Sequence, residues 1–272
     1  MSVILRNGHD RTVVLMKIGG SILLGANSYA RVAAYLKRRT EMAPREKLVV
    51  VVSAQKFATS VLERRARHIV RAPKPRTLDL LWSTGELQSV AVLALHLEAC
   101  QVSAVGLNVH ETGLRFPPLS PSSAPSPALE SRHLDRAIAN HAVVIVPGFL
   151  AARWDHAVVT LGRGGSDLSA VLLAIGLRAA RCELLKDVPG YFAEDPRKNT
   201  RSPHLPSLTF REALRMAERG CELVQTRALE AAAEADLPLV IRSLDDRAPS
   251  SVISSARSSS TMRERETAAA DA

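Results

Sequence analysis

The segment TLGRGGSDLSAVLLAIG at 160–176 sets three glycines, an arginine and an aspartate immediately before an apolar run of helical period. Glycine lets a backbone bend sharply and approach a ligand closely, and the N–H groups that open a helix attract anions. Gly162, Gly164 and Gly165 read as a close-approach loop and Ser166 as the cap of the following helix. Arg163 reads as a bidentate grip for a carboxylate, and Asp167 as an orienting partner for nearby cations. A second cluster, MKIGGS at 16–21, follows an apolar run; Gly19 and Gly20 would admit an anion to backbone N–H groups while Lys17 adds a point charge. STGE at 83–86 precedes a long apolar helix and offers Glu86 either to an ammonium group or to the dipole of the helix start. KDVPGYFAEDPR at 186–197 supplies a Pro-Gly turn, an aromatic pair and Asp-Pro-Arg, a loop suited to a nucleotide or to a plain surface turn. Each glycine pair taken alone is equally ordinary turn punctuation. Neither cluster matches a P-loop or a dinucleotide-binding G-x-G-x-x-G.

These loops need a scaffold. Six apolar, β-branched runs at 13–17, 48–53, 102–107, 142–149, 182–188 and 237–243 read as buried strands. Between most of them lie segments of helical period at 29–39, 60–70, 87–99, 131–140, 168–177 and 210–219. Strands alternating with helices predict an α/β fold, a mainly parallel sheet covered on both faces. Thr209 with Glu212 forms a capping box, and Gly176 and Gly220 stand where helices should stop. PPLSPSSAPSPALES at 117–131 reads as an exposed, mobile loop within one domain of residues 1–253, and the serine-rich, charged stretch 254–272 as a disordered tail.

The chain has 272 residues, is 46% hydrophobic and carries a formal net charge of +9, so a globular core with anionic partners is expected. Aromatics make up 4%, with no basic-aromatic interleaving, which argues against a nucleic-acid binder of the stacking type. No apolar run reaches the roughly 18 residues of a membrane span, and no leader pattern opens the chain, so a cytoplasmic protein without a membrane partner is expected. Cys100, Cys182 and Cys221 lack any C-x-x-C spacing, and His96 has no second ligand at metal spacing. Trp82 and Trp154 read as packing residues and Arg64 to Arg71 as a helix face.

In order, these clusters resemble the catalytic domain of aspartate kinases, in the amino acid kinase superfamily. KIGGS is similar to that family's K-F-G-G-T/S, LLWSTGE to L-L-S-T-G-E, VVIVPGFLA (143–151) to its V-x-G-F strand end, and TLGRGGSD is a full match to its core signature. KDVPGYFAEDPR resembles T-D-V-P/D-G-V/I-Y-T-A/T-D-P-R, and LPLVIRS the closing strand. The resemblance runs from about residue 12 to 253. It implies a three-layer α/β/α sandwich that transfers the γ-phosphoryl of ATP, with Mg2+, to the side-chain carboxylate of aspartate or a close analogue, giving an acyl phosphate. It further implies that Lys17 steadies the phosphoryl group, with Gly19, Gly20 and Ser21 lining its path and Asp167 organising the centre. Arg163, Gly164, Gly165, Ser166, Ser53 and Glu86 fall on the acceptor side, Arg163 on the carboxylate and Glu86 on the α-ammonium. Lys186, Asp187, Tyr191, Phe192 and Arg197 fall on the nucleotide side. The implied partners are a small amino acid, ATP and, since related chains commonly dimerise, a second copy; no metal cage is implied.

Three departures stand out. No paired regulatory (ACT) module follows, so feedback control through one is not expected. The loop that usually reads S-A-M-G-G-V-T-D is SAQKFATS at 53–60, without its glycines and acid. In GCELVQTRAL at 220–229, Glu222 replaces the family's ATP-phosphate lysine, and Lys186, where the family has threonine, is the candidate substitute cation. Alternatives are therefore a kinase for another amino acid or carboxylate, and a catalytically weakened ligand-binding homologue.

Overall fold

Runs of valine, isoleucine and leucine without polar alternation can be satisfied only by burying both faces of a strand, which requires helices above and below. The computed structural model describes residues 12–116, 127–162 and 164–256. Its elements are β1 (Thr12–Ile18), α1 (Ala26–Met42), β2 (Glu46–Val52), α2 (Ala58–Ile69), α3 (Pro75–Ala99), β3 (Ala104–Gly106), α4 (Val109–Thr112), β4 (Leu114–Arg115), β5 (Ala128–Leu129), α5 (Arg132–Asn140), β6 (Val143–Pro147), β7 (Leu150–Ala152), β8 (Val158–Thr160), α6 (Gly165–Gly176), β9 (Arg181–Leu185), β10 (Tyr191–Phe192), β11 (His204–Leu205), β12 (Ser207–Thr209), α7 (Phe210–Glu218), α8 (Thr226–Glu234), β13 (Leu239–Arg242) and β14 (Ser251–Ser254). Strands pair in the order β12-β14-β13-β9-β1-β2-β6-β3, parallel throughout except β13 against β14.

The period of two along β1 sorts the two cores. Val14, Met16 and Ile18 pack with Tyr29, Val32 and Leu36 of α1 and with Leu93 and Leu97 of α3. Leu15 faces the other way, into a core with Leu168 and Val171 of α6, Ala213 of α7 and Leu229 of α8. The result is the expected three-layer sandwich. Among the described residues no helix is long and apolar enough to cross a membrane.

Where the sequence reading and the structure differ, short or masked signals are responsible. The run 142–149 is not one strand: it breaks at Gly148 and Phe149, the latter in a left-handed conformation (φ 64°), and resumes as β7 in a small sheet of order β5-β4-β7-β8. Part of the expected loop at 117–131 is ordered, because 128–129 form β5 against β4 and Ser131 precedes α5; residues 117–126 lie outside the described set, as do 257–272 of the expected tail. β14 carries the fold to Ser254, where the tail was expected to begin. The long helix starts at Pro75, twelve residues before the predicted start, so STGE lies inside it. Gly85 is tolerated there because a side chain would press on Ala54 and Leu62, at 3.3 and 3.4 Å from its first carbon. The box at Thr209 forms as read, with Thr209 Oγ1 accepting from the Glu212 N–H at 3.2 Å. His96 packs flat on Tyr29, ring centres 6.4 Å apart.

At the end of the sheet away from the glycine loops, Glu183 of β9 is buried and accepts from Arg39 at 2.8 Å, Arg181 at 2.8 Å and Arg242 at 3.3 Å, tying α1 to the strands. Burial opposes its ionisation, but the three guanidinium groups hold its carboxyl below the usual range. Glu183→Gln should therefore cost about 3 kcal/mol by stranding buried guanidinium charge, against about 1 kcal/mol for Thr209→Ala. Urea denaturation of both variants checks the ranking; equal losses would mean that Glu183 is no more than a surface pair.

Candidate active site

Lys17 is the second-last residue of β1 and shares the face of Leu15, toward α6. Its Nζ lies 2.8 Å from Asp167 Oδ1. Lys186 directly follows β9, the parallel neighbour of β1, and its Nζ lies 2.8 Å from Asp167 Oδ2 and 3.1 Å from Oδ1. The Gln225 backbone N–H reaches Asp167 Oδ2 at 3.3 Å. Asp167 is the third residue of α6, where the helix dipole favours an anion. Burial raises its carboxyl pKa, but Lys17 and then Lys186 overrule that and hold it far below the usual range. Burial and the charge of Lys17 pull the Lys186 ammonium down, against the opposing pull of Asp167. Two ammonium groups on one carboxylate leave one net positive charge beneath the glycine loops.

Glycine has a specific use at two points. Gly19 leaves room for Lys17, since a first side-chain carbon there would sit 2.8 Å from Lys17 Nζ. Gly164 caps α6 in the left-handed region (φ 71°), so the cap is this glycine and not Ser166, which lies buried in the first turn. The sequence reading assigned the cap by residue type and missed the bend that only glycine makes cheaply. Gly165 packs on Leu161 and Phe149, and Gly20 on the Ala54 carbonyl. Arg163 lies outside the described residues.

Two cavities meet over this centre. One of 440 Å3 is lined by Lys17, Ser53, Ser166, Asp167, Gln225 and Thr226, and one of 600 Å3 by Ser21, Asp187, Phe192, Arg197 and Arg219; Lys186 and Glu222 line both. Glu222 is exposed. Phe192 meets His204 edge-on, ring centres 5.2 Å apart, and Arg197 pairs with Asp195 at 3.2 Å and Asp187 at 3.9 Å. Tyr191 borders the larger cavity, but its ring is core, 1% exposed, and burial pushes its phenol up. Gln225 and Thr226, quoted in the sequence within GCELVQTRAL, were not placed at the site because α8 was missed, and the alanine-rich run from 226 to 234 was the signal for it; Arg219 stands just past α7, at the end of the helix expected at 210–219.

Glu86 sits apart, eleven residues into α3 and not at its start, so its burial and not a helix dipole sets its chemistry. It is 3% exposed, and among the described residues its Oε2 has no hydrogen-bond partner. Burial pushes its carboxyl up to about 8, offset in part by the Ala54 backbone N–H and the charge of Lys17. A buried carboxyl with a spare oxygen suits an incoming cation. Ser53 stands nearby, its N–H donating to the Ile18 carbonyl at 3.0 Å. Phe57, in the altered loop, caps α2 in the left-handed region (φ 69°), exposed to solvent.

The model of the amino acid kinase family matches residues 12–243. The chain is 33% identical over 232 residues to an aspartokinase of Geobacillus stearothermophilus, covering 85% of this chain and 56% of that protein. The structure of an aspartate kinase from Synechocystis superposes with a TM-score of 0.75 at 32% identity, over 90% of this chain and 40% of that one. E. coli aspartokinase III in complex with aspartate and ADP gives 0.74 at 25% identity, over 89% and 64%. The chain thus spans about half the length of the curated relatives it matches. Since that match takes in β1 through β13 and every loop around Asp167, the chain belongs to the amino acid kinase family.

Proposed function

We propose that this chain transfers the γ-phosphoryl group of ATP to the side-chain carboxylate of aspartate or a close analogue, forming an acyl phosphate. The observation that carries this reading is the Lys17–Asp167–Lys186 centre at the junction of two cavities. Bringing a carboxylate up to a triphosphate sets two anions against each other. The carboxylate is already ionised at pH 7, so the protein needs no strong base; alignment and neutralisation of charge are the main tasks. A fixed centre of net charge +1 suits that need and costs no reorganisation during transfer.

In this reading the nucleotide occupies the 600 Å3 cavity beside Asp187, Tyr191, Phe192 and Arg197. Lys17 steadies the phosphoryl group in transit past Gly19, Gly20 and Ser21, and Asp167 holds both ammonium groups in place. The acceptor lies by Ser53, Gly164, Gly165 and Ser166, with its ammonium on Glu86 and its carboxylate on Arg163. The aspartate and ADP in the E. coli relative support the pairing of ligands. Among the described residues no three His, Cys, Asp or Glu side chains are grouped to hold a metal. Both Asp167 oxygens are occupied by lysines, so Mg2+ would arrive with the nucleotide, with Asp187 among the carboxylates lining that cavity that could hold it. A second reading, nucleotide binding without turnover, is favoured by Glu222 at the cavity junction.

Incubation with MgATP, hydroxylamine and a panel of amino acids should yield the hydroxamate of aspartate; another acid would redirect the acceptor assignment, and none despite ATP binding would favour the second reading. Lys186→Ala should raise the KM for ATP about tenfold or more, the worth of one charge-assisted contact. Unchanged ATP affinity and turnover would remove Lys186 as the substitute for a cation at 222.

Glu86 gives a pH signature. Its carboxyl is neutral below about 8 and must ionise to hold an ammonium, so amino-acid affinity should rise about tenfold per pH unit from pH 6 toward 8. Because the folded value lies above the unfolded one, near 4, its contribution to stability is fully present below about 4 and is lost progressively as pH rises to about 8. Titration calorimetry against pH should find this slope in the native chain and a flat, weaker profile in Glu86→Gln.

A further inference from the structure

We infer that Trp82 is an acceptor-recognition residue, its indole N–H donating to the carboxylate oxygen of the amino-acid ligand that does not receive phosphate. This rests on the phosphotransfer reading for the identity of the ligand. Trp82 and Glu86 lie four residues apart on α3, hence one above the other on a single helix face. Each carries a buried polar atom without a partner among the described residues: Trp82 Nε1, which can only donate, and Glu86 Oε2, which accepts. Folded interiors leave few such atoms unpaired. A donor and an acceptor of this kind, one turn apart, complement a ligand bearing a carboxylate and an ammonium a few bonds apart.

The ring is held where this requires. It meets Phe149 edge-on, centroids 6.1 Å apart at 61°. Phe149 in turn borders Gly165, where a first side-chain carbon would lie 3.0 Å from its ring, and its N–H donates to Ser169 Oγ of α6 at 3.1 Å. Three residues earlier on α3, Asp79 accepts from Thr160 Oγ1 at 2.8 Å, fixing the helix against β8. Trp82 therefore spans from the helix of Glu86 to the glycine turn that opens α6. Neighbouring polar groups have other engagements, since Ser83 and Thr84 donate to the carbonyls of Leu80 and Leu81. The indole N–H is a free donor on that face.

The test is Trp82→Phe, which keeps an aromatic ring and deletes the N–H. Titration of the full chain with aspartate and, separately, with β-alanine, which lacks the α-carboxylate, should show aspartate binding weakened about tenfold and its preference over β-alanine reduced by the same factor, with MgADP affinity unchanged. A change in aspartate affinity below threefold overturns the inference. The measurement is of binding, so absence of hydroxamate in the turnover assay would defeat the phosphotransfer reading without deciding this one. Should Trp82→Phe fail to fold, Trp154→Phe leaves Trp82 as the sole tryptophan, Trp154 being a surface residue stacked by Arg115. A shift in its emission on adding aspartate supports the inference, and a spectrum unmoved by saturating aspartate overturns it.

Discussion

Asp167 keeps two ammonium groups close together inside the protein, and the arrangement of the strand ends depends on it. Lys17 and Lys186 project from adjacent strands, and their mutual repulsion in a poorly polarisable interior would drive them apart if the carboxylate between them were lost. The carboxylate is in turn fixed by position: it stands in the first turn of α6, where backbone N–H groups and the helix dipole favour it, and where Gly164 turns the chain sharply enough to bring that turn over β1. The order Gly-Gly-Ser-Asp is thus one device, a bend followed by an anion.

The sheet explains why the charges gather there. On one side of β1 the sheet runs β2, β6 and β3, while β9 and β13 extend it on the other. The boundary between β1 and β9 is where the direction of growth reverses, and in open α/β sheets a crevice forms at such a boundary beyond the carboxyl ends of the strands. Lys17 and Lys186 stand at the ends of those two strands. The cavities of 440 and 600 Å3 open on the α6–α8 side of that point, the face Leu15 shares.

How far all this was legible follows from what each signal measures. The main strands of the sheet were found within a few residues because a strand covered on both faces is a continuous apolar run, although the run at 102–107 proved to be the half-buried edge strand β3 and that at 142–149 broke at Gly148. Strands of two or three residues, such as β4, β5 and β7, have no period to detect. Helix α3 was read twelve residues short because Pro75 at its start and Gly85 within it look like loop punctuation, whereas one suits a first turn and the other a tight contact with Ala54. The glycine clusters announced the crevice, but nothing in their spacing said that Asp167 would bind both lysines, because that depends on which strands become neighbours. The burial of Glu86 was hidden for the same reason as the helix around it.

The two central carboxylates have been driven apart in chemistry by surroundings alone. Asp167 is paired with two lysines and stays ionised; Glu86 is buried with one weak partner and is neutral until a cation arrives. Under the proposed chemistry the first suits a charge that must never leave and the second a ligand that comes and goes. Under that chemistry the same contrast would limit the effect of Glu222. Its carboxylate is exposed at the cavity edge, where water and salt screen it, whereas the Lys186 ammonium is held in the interior, where each charge acts at greater strength. A reversed charge at the rim therefore weighs less than a new cation at the floor, and the balance beneath the glycine loops stays positive.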